Sequence, residues 1–203
     1  MKKNMELVLD RNYTKNEFFQ IITDIRKELH DGYIYVMAGV GHLHNMMTLS
    51  LAQLYSKIFN KFENNYYYFF PPFDVVLSET DIVQPDFGIV CDKTKVVKQR
   101  VVNNGIVEEI GRIEGCPDFI VEIISPNGHK RDYVEKFSKY EKYGVEEYWI
   151  INPKALTINI YLLKNGKYDD GECISILEDK TITIKSLDME LNIKEIFKEW
   201  FVG

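Results

Sequence analysis

A chain of 203 residues, 45% of them hydrophobic, can bury a sizeable core and fits a single domain, residues 1–203, better than two. Its formal charge of -6 and pI near 5.3 exclude a protein that coats nucleic acid through global charge, while leaving room for a local basic surface. Cys91, Cys116 and Cys173 are far apart and form no CxxC, which excludes a disulfide framework and points to the cytoplasm.

In chain order, the N-terminus begins with lysines but lacks the apolar stretch and small-residue cleavage site of an export signal. NEFFQIITDIRKEL carries Phe18, Ile21, Ile22, Ile25 and Leu29 at helical spacing, so a helix is predicted, stopped by His30-Asp31-Gly32 before a strand in YIYVM. HLHNMMTLSLAQLYSKIF carries Leu43, Met46, Met47, Leu51, Leu54 and Ile58 and predicts a second amphipathic helix. YYYFF and FDVVL, separated by Pro71 and Pro72, read as strands, and IVQPDFGIVCD supplies another around Asp86. The aromatic cluster at 66–73 is too short and proline-broken to span a bilayer, so no membrane is implied.

KTKVVKQRVVNNGIVEEIGRI alternates charge with Val and Ile about Asn103, Asn104 and Gly105, as a hairpin decorating the surface does. In CPDFIVEIISP, Ile120, Val121, Ile123 and Ile124 leave neither face polar, which predicts a central strand covered on both sides. After a turn at NGHK, the helix in RDYVEKFSKYEKYG has a capping-box pattern at Asp132 and Glu135 and a stop at Gly144. EEYWIINP and TINIYLL read as hairpin partners, ECISIL and TITIK as shorter strands, and IKEIFKEWF as a terminal helix. The expected architecture is α/β, a mixed sheet flanked by helices with an αβββαβ core over about 42–153 and additional C-terminal strands.

Glu122 is the anomaly in this pattern. An ionised carboxylate inside a two-sided apolar strand costs several kcal/mol unless it is paired, hydrogen-bonded or metal-bound. On a wheel at ~100° per residue, Tyr133, Phe137, Tyr140 and Tyr143 form an apolar arc that contains Lys136, with Lys139 and Lys142 outside it. A right-handed return from the Glu122 strand packs that arc on the strand, so Lys136 is the expected partner. Asp86 is a second acid at a strand start. Two carboxylates on adjacent strands with a lysine beside them outline a metal-assisted hydrolysis site.

These residues carry a resemblance. Glu28-Leu-His-Asp-Gly32, His44 with Leu51, Pro85-Asp86-Phe87, GCPDFIVEIISP at 115–126, Asp132, Lys136 and Tyr140, and GVEEYWIINP at 144–153 together resemble the Uma-two family of restriction-endonuclease-like proteins, within the PD-(D/E)XK nuclease superfamily. The resemblance implies a metal-dependent DNA endonuclease using Mg2+ or Mn2+, with Asp86, Glu122 and the Ile123 carbonyl as ligands. The usual lysine two residues after the second acid is absent, since Ile124 stands there, and Lys136 takes its place. Glu28 and His44 match recurrent family positions and, with Ser125, are expected to support the site without binding the metal. Two departures, the NGHK turn and Asn152 where Asp is common, touch substrate contacts and not the ligands. A homodimer is expected, because cutting two strands commonly needs two sites.

Blander readings stand beside these. Asp118 reads as a strand-start residue, Ser125 as a strand end, and Lys136 as a side chain that snorkels. His42 and His44 do not share a helix face, and a zinc site is unsupported. The lysines of KTKVVKQR contact phosphates or simply solvate a hairpin. The alternative to an endonuclease is a catalytically inactive nuclease-fold module that binds nucleic acid or protein, or a hydrolase of smaller phosphodiesters.

Overall fold

The computed structural model describes residues 8, 10–21, 23, 25–37, 39–103, 106–125 and 131–197; the side chains of 64, 99–103, 106–110, 131 and 132 lie outside this description, as do the NGHK turn and the end of the terminal helix. In chain order the elements are α1 (Lys15–Phe18), β1 (Lys27–His30), β2 (Tyr33–Val36), α2 (His42–Phe62), β3 (Tyr67–Phe69), β4 (Asp74–Val76), β5 (Ile82–Val83), β6 (Phe87–Val90), β7 (Val96–Asn103), β8 (Ile106–Glu114) and β9 (Phe119–Ile123). A π turn (Arg131–Lys136) then leads into α3 (Phe137–Tyr143), followed by β10 (Glu147–Asn152), β11 (Thr157–Lys164), β12 (Lys167–Tyr168), β13 (Glu172–Ser175), β14 (Thr181–Ile184), β15 (Met189–Asn192) and α4 (Ile193–Ile196). None of the described helices is long and apolar enough to cross a membrane. The chain divides into two compact units, one built from 1–39, 71–85 and 93–116, the other from 40–70, 86–92 and 117–203.

The first unit holds a six-stranded sheet in the order β2-β1-β5-β4-β8-β7. Its core gathers Tyr13, Phe18, Ile21, Leu29, Ile34, Val76 and Ile82. Here the long first helix expected from NEFFQIITDIRKEL is corrected. Among the described residues of that stretch only Lys15–Phe18 are helical, started by a capping box in which the Thr14 hydroxyl accepts from Glu17 N–H and the Glu17 carboxylate accepts from Thr14 N–H. Lys27–His30 is a strand instead, and its buried Glu28 is hydrogen-bonded there. Glu28 and His30, two apart and hence on one strand face, bond each other at 3.0 Å, and the other Glu28 oxygen accepts from Gln84 N–H at 2.8 Å. The hairpin of β7 and β8 is likewise more than decoration. Its second strand runs parallel to β4, with Val75 opposite Ile113, and Ile113 is fully buried.

The second unit contains the expected αβββαβ order as α2, β3, β6, β9, α3 and β10. Its sheet runs β12-β11-β10-β9-β6-β3, with β13 added on β11, and β9 is antiparallel to β6 and parallel to β10. Residues of α2 at helical spacing, Met47, Leu51, Leu54 and Ile58, join Phe119, Val121 and Ile123 of β9 in one cluster. Full burial of each such side chain contributes about 1.5–3 kcal/mol. Strand alternation puts Ile120 and Glu122 on the opposite face. Gly88 is opposite Phe69 across the ladder, and a Cβ there would lie 2.1 Å from the Phe69 ring, so only glycine admits that ring over the strand.

Glu147 ties β10 to the turn after β14. Its carboxylate accepts from Trp149 Nε1 at 2.7 Å, Ser186 N at 2.9 Å and Ser186 Oγ at 3.1 Å. Burial nevertheless pushes its pKa up, because desolvation outweighs the bonds from Ser186 and Trp149 that favour the charge. A carboxyl raised on folding contributes stability below its unfolded value of roughly 4.3 and loses it as pH rises through the native value. Wild type should therefore lose stability relative to Glu147→Gln as pH rises above about 4. Urea unfolding of both across that range tests this, and a pH-independent difference would count against it.

Candidate functional site

Glu122 belongs to β9, whose five residues are all buried, and is itself 3% exposed. The partner expected from the wheel is present. Lys136 Nζ donates to Glu122 Oε1 at 2.8 Å from a side chain only 2% exposed, and Tyr140 Oη donates to the same oxygen at 2.7 Å. Lys136 and Tyr140 are four residues apart, one turn up the same helix face. Tyr140 is in turn fixed by an edge-to-face contact with Tyr148 at 4.9 Å between ring centroids. The apolar arc accounts for the ring of Tyr140 and not for its bond to Glu122. The signal for more was its hydroxyl, since a buried Tyr Oη requires a partner.

The π turn alters the expected helix start. Asp132 falls within the turn and is not its cap, and its side chain is outside the described residues. Lys139, outside the arc on a uniform wheel, is also buried. Gly144 ends the helix as expected, in the left-handed region at φ 88°.

Asp86 stands one residue before β6, after a proline that offers no N–H to prolong the ladder. The β6–β9 register pairs Phe87 with Val121, and extending it by one residue puts Asp86 opposite Glu122. Asp86 Oδ2 accepts from Ile123 N–H at 2.8 Å and from His44 Nε2 at 3.1 Å. Its Oδ1 makes no hydrogen bond among the described residues. In a strand a residue's N–H and C=O leave on the same edge, so the Ile123 carbonyl shares the Asp86 side of β9. His44, on the first turn of α2, is 8% exposed, and its buried Nδ1 has no partner among the described residues.

The remaining predicted residues divide. Ser125 follows β9 and lines a cavity with His44. Glu28 belongs to the first unit, where His30 and Gln84 hold it. Asp118 accepts from Cys91 N–H at 2.8 Å, as a strand-start residue does.

Among the described residues no three His, Cys, Asp or Glu side chains converge as a metal cage. Asp86, Glu122 and one carbonyl form a partial oxygen set. That set fits a small hard dication, which takes one or two carboxylates and leaves its other positions to water and phosphate.

The family described as "Uma2: Putative restriction endonuclease" matches residues 16–193. A solved structure, described as a putative nuclease belonging to DUF820 from Anabaena variabilis, superposes with a TM-score of 0.69 at 18% identity, covering 91% of this chain and 97% of that one. At that identity the likeness concerns the fold. Among curated proteins none matches.

Proposed function

We propose, from the premise that this chain belongs to the Uma2 family, that it is a metal-dependent endonuclease hydrolysing phosphodiester bonds of DNA. The observation that carries this reading is the placing of Asp86 and Glu122 opposite each other on adjacent strands, with the buried Lys136 ammonium on Glu122. In this reading Asp86, Glu122 and the Ile123 carbonyl hold Mg2+ or Mn2+. A bound cation of this kind polarises the phosphate and lowers the pKa of a coordinated water.

The chain's own side chains do the rest. Ile123 N–H and His44 donate to Asp86 Oδ2, and Lys136 and Tyr140 donate to Glu122 Oε1. Such double anchoring removes rotamer freedom before substrate arrives. Lys136 orients the attacking water or stabilises charge developing on the phosphate, as a preorganised cation in a buried site does. The test is nicking of supercoiled plasmid with Mg2+ or Mn2+ by wild type, Asp86→Asn, Glu122→Gln and Lys136→Ala. Wild type should cut only with metal and each folded variant should lose at least ~100-fold. Equal cutting by all four proteins would sink the proposal.

A further inference from the structure

Each acid of the proposed site takes two donors on a single oxygen. Ile123 N–H and His44 Nε2 donate to Asp86 Oδ2 at 2.8 and 3.1 Å, and Lys136 Nζ and Tyr140 Oη donate to Glu122 Oε1 at 2.8 and 2.7 Å. A carboxylate oxygen has two lone pairs, so Oδ2 and Oε1 are both filled. The donors are also held in place. Ile123 N–H belongs to the backbone of β9, and His44, Lys136 and Tyr140 are buried. Other buried acids of the chain spread their donors over both oxygens. Glu28 takes Gln84 N–H on Oε1 and His30 on Oε2, Asp81 takes Asp31 N–H on Oδ1 and Ser78 Oγ on Oδ2, and Glu147 takes Trp149 on Oε1 and Ser186 on Oε2. At Asp86 the crowding of donors onto Oδ2 makes Oδ1 the coordinating atom, and at Glu122 any coordination falls to Oε2.

A carboxylate with one filled oxygen binds a cation through the other alone, and that restriction separates the hard dications. Mg2+ demands a near-octahedral shell at about 2.0–2.1 Å and is held by one or two carboxylates, with water and phosphate completing the shell. Ca2+ takes roughly 6–8 oxygens at about 2.3–2.6 Å, and both oxygens of one carboxylate can serve it together. We infer that His44, Lys136 and Tyr140 set the metal specificity of the site, favouring Mg2+ or Mn2+ over Ca2+ by filling one oxygen of each acid so that neither acid can chelate. The inference rests on the metal-dependent reading above and concerns which ion the two acids hold. The three side chains act through Asp86 and Glu122 and are, in this respect, positioning residues. A partial oxygen set that offers each acid through one atom leaves Ca2+ short of ligands and costs an octahedral ion nothing.

The test titrates Mg2+ and Ca2+ separately, by calorimetry and without nucleic acid, into wild type, Tyr140→Phe and His44→Ala. Tyr140→Phe keeps the ring against Tyr148 and the Lys136 ammonium on Glu122, and removes one donor from Oε1. His44→Ala removes one donor from Asp86 Oδ2. Wild type should bind Mg2+ more tightly than Ca2+, and each variant should raise the ratio of Ca2+ to Mg2+ affinity by about tenfold or more, because the added ligand atom serves only the larger ion. A loss of positioning alone would weaken both ions together. A ratio unmoved by both substitutions, or Ca2+ bound by wild type as tightly as Mg2+, therefore overturns the specificity role. The two variants act on different acids, so one that fails to fold leaves the other decisive. The titration involves no cleavage and the plasmid assay does, so the two proposals fail separately. An unmoved ratio with Mg2+ bound and plasmid cut strikes only this inference, and a raised ratio with plasmid uncut strikes only the hydrolase reading. Wild type that binds neither ion strikes both.

Discussion

Lys136→Ala is expected to lower the unfolding free energy by about 3–5 kcal/mol at neutral pH. The substitution leaves the Glu122 carboxylate, 3% exposed, without the ammonium that donates to Oε1 beside Tyr140 Oη. Exposed ion pairs contribute about 0–1 kcal/mol, so burial is what makes the loss large. Most of it is the cost of an uncompensated charge and not the net worth of the pair. The double variant Glu122→Gln/Lys136→Met, in which no charge remains and an amide oxygen can still accept from Tyr140, should therefore regain most of the stability. Urea unfolding of wild type, both single variants and the double variant closes the cycle. A Lys136→Ala cost below about 1 kcal/mol would mean that solvent reaches the pair in solution.

That pairing could be read from the sequence because it follows from two periodicities. Alternation in FIVEI forces Glu122 to a buried face, and the 3.6-residue repeat brings Lys136 and Tyr140 to the strand that precedes them. What alternation could not supply was the oxygen that each donor takes, or the role of His44, whose bond to Asp86 spans 42 positions. The first helix failed for a related reason. Phe18, Ile21, Ile22, Ile25 and Leu29 fit a helical stripe, but Glu28 sits fully buried in β1, where His30 and the N–H of Gln84, far along the chain, bond its two oxygens. Buried polar residues look like solvent-facing ones until their partners are known. The capping box at Thr14 and Glu17 was the local sign that a helix begins, yet nothing local marked how soon it ends. The hairpin at 93–113 was legible as a hairpin, whereas its parallel seam with β4 is a long-range pairing that alternation alone does not specify.

Mg2+ or Mn2+ at 100 times its dissociation constant should raise the unfolding free energy of wild type by about 2.7 kcal/mol and leave Asp86→Asn unchanged. The geometry makes asparagine a sharp test. Asp86 Oδ2 takes two N–H donors, from Ile123 and His44, so an asparagine keeps its acceptor oxygen there and must turn its NH2 to the Oδ1 position. The internal bonds survive, the metal-free protein keeps its fold, and the atom offered to a cation becomes a donor that repels it. His44→Ala removes one of the two anchors instead, and loosening a carboxylate in this way is expected to weaken metal affinity by roughly 10–100-fold without abolishing it. Thermal unfolding of the three proteins with metal and then with chelator reads these effects without reference to cleavage. Equal stabilisation of wild type and Asp86→Asn would place the cation elsewhere; a graded loss from wild type through His44→Ala to Asp86→Asn would show that α2 and β9 hold Asp86 in place for its remaining oxygen to bind metal.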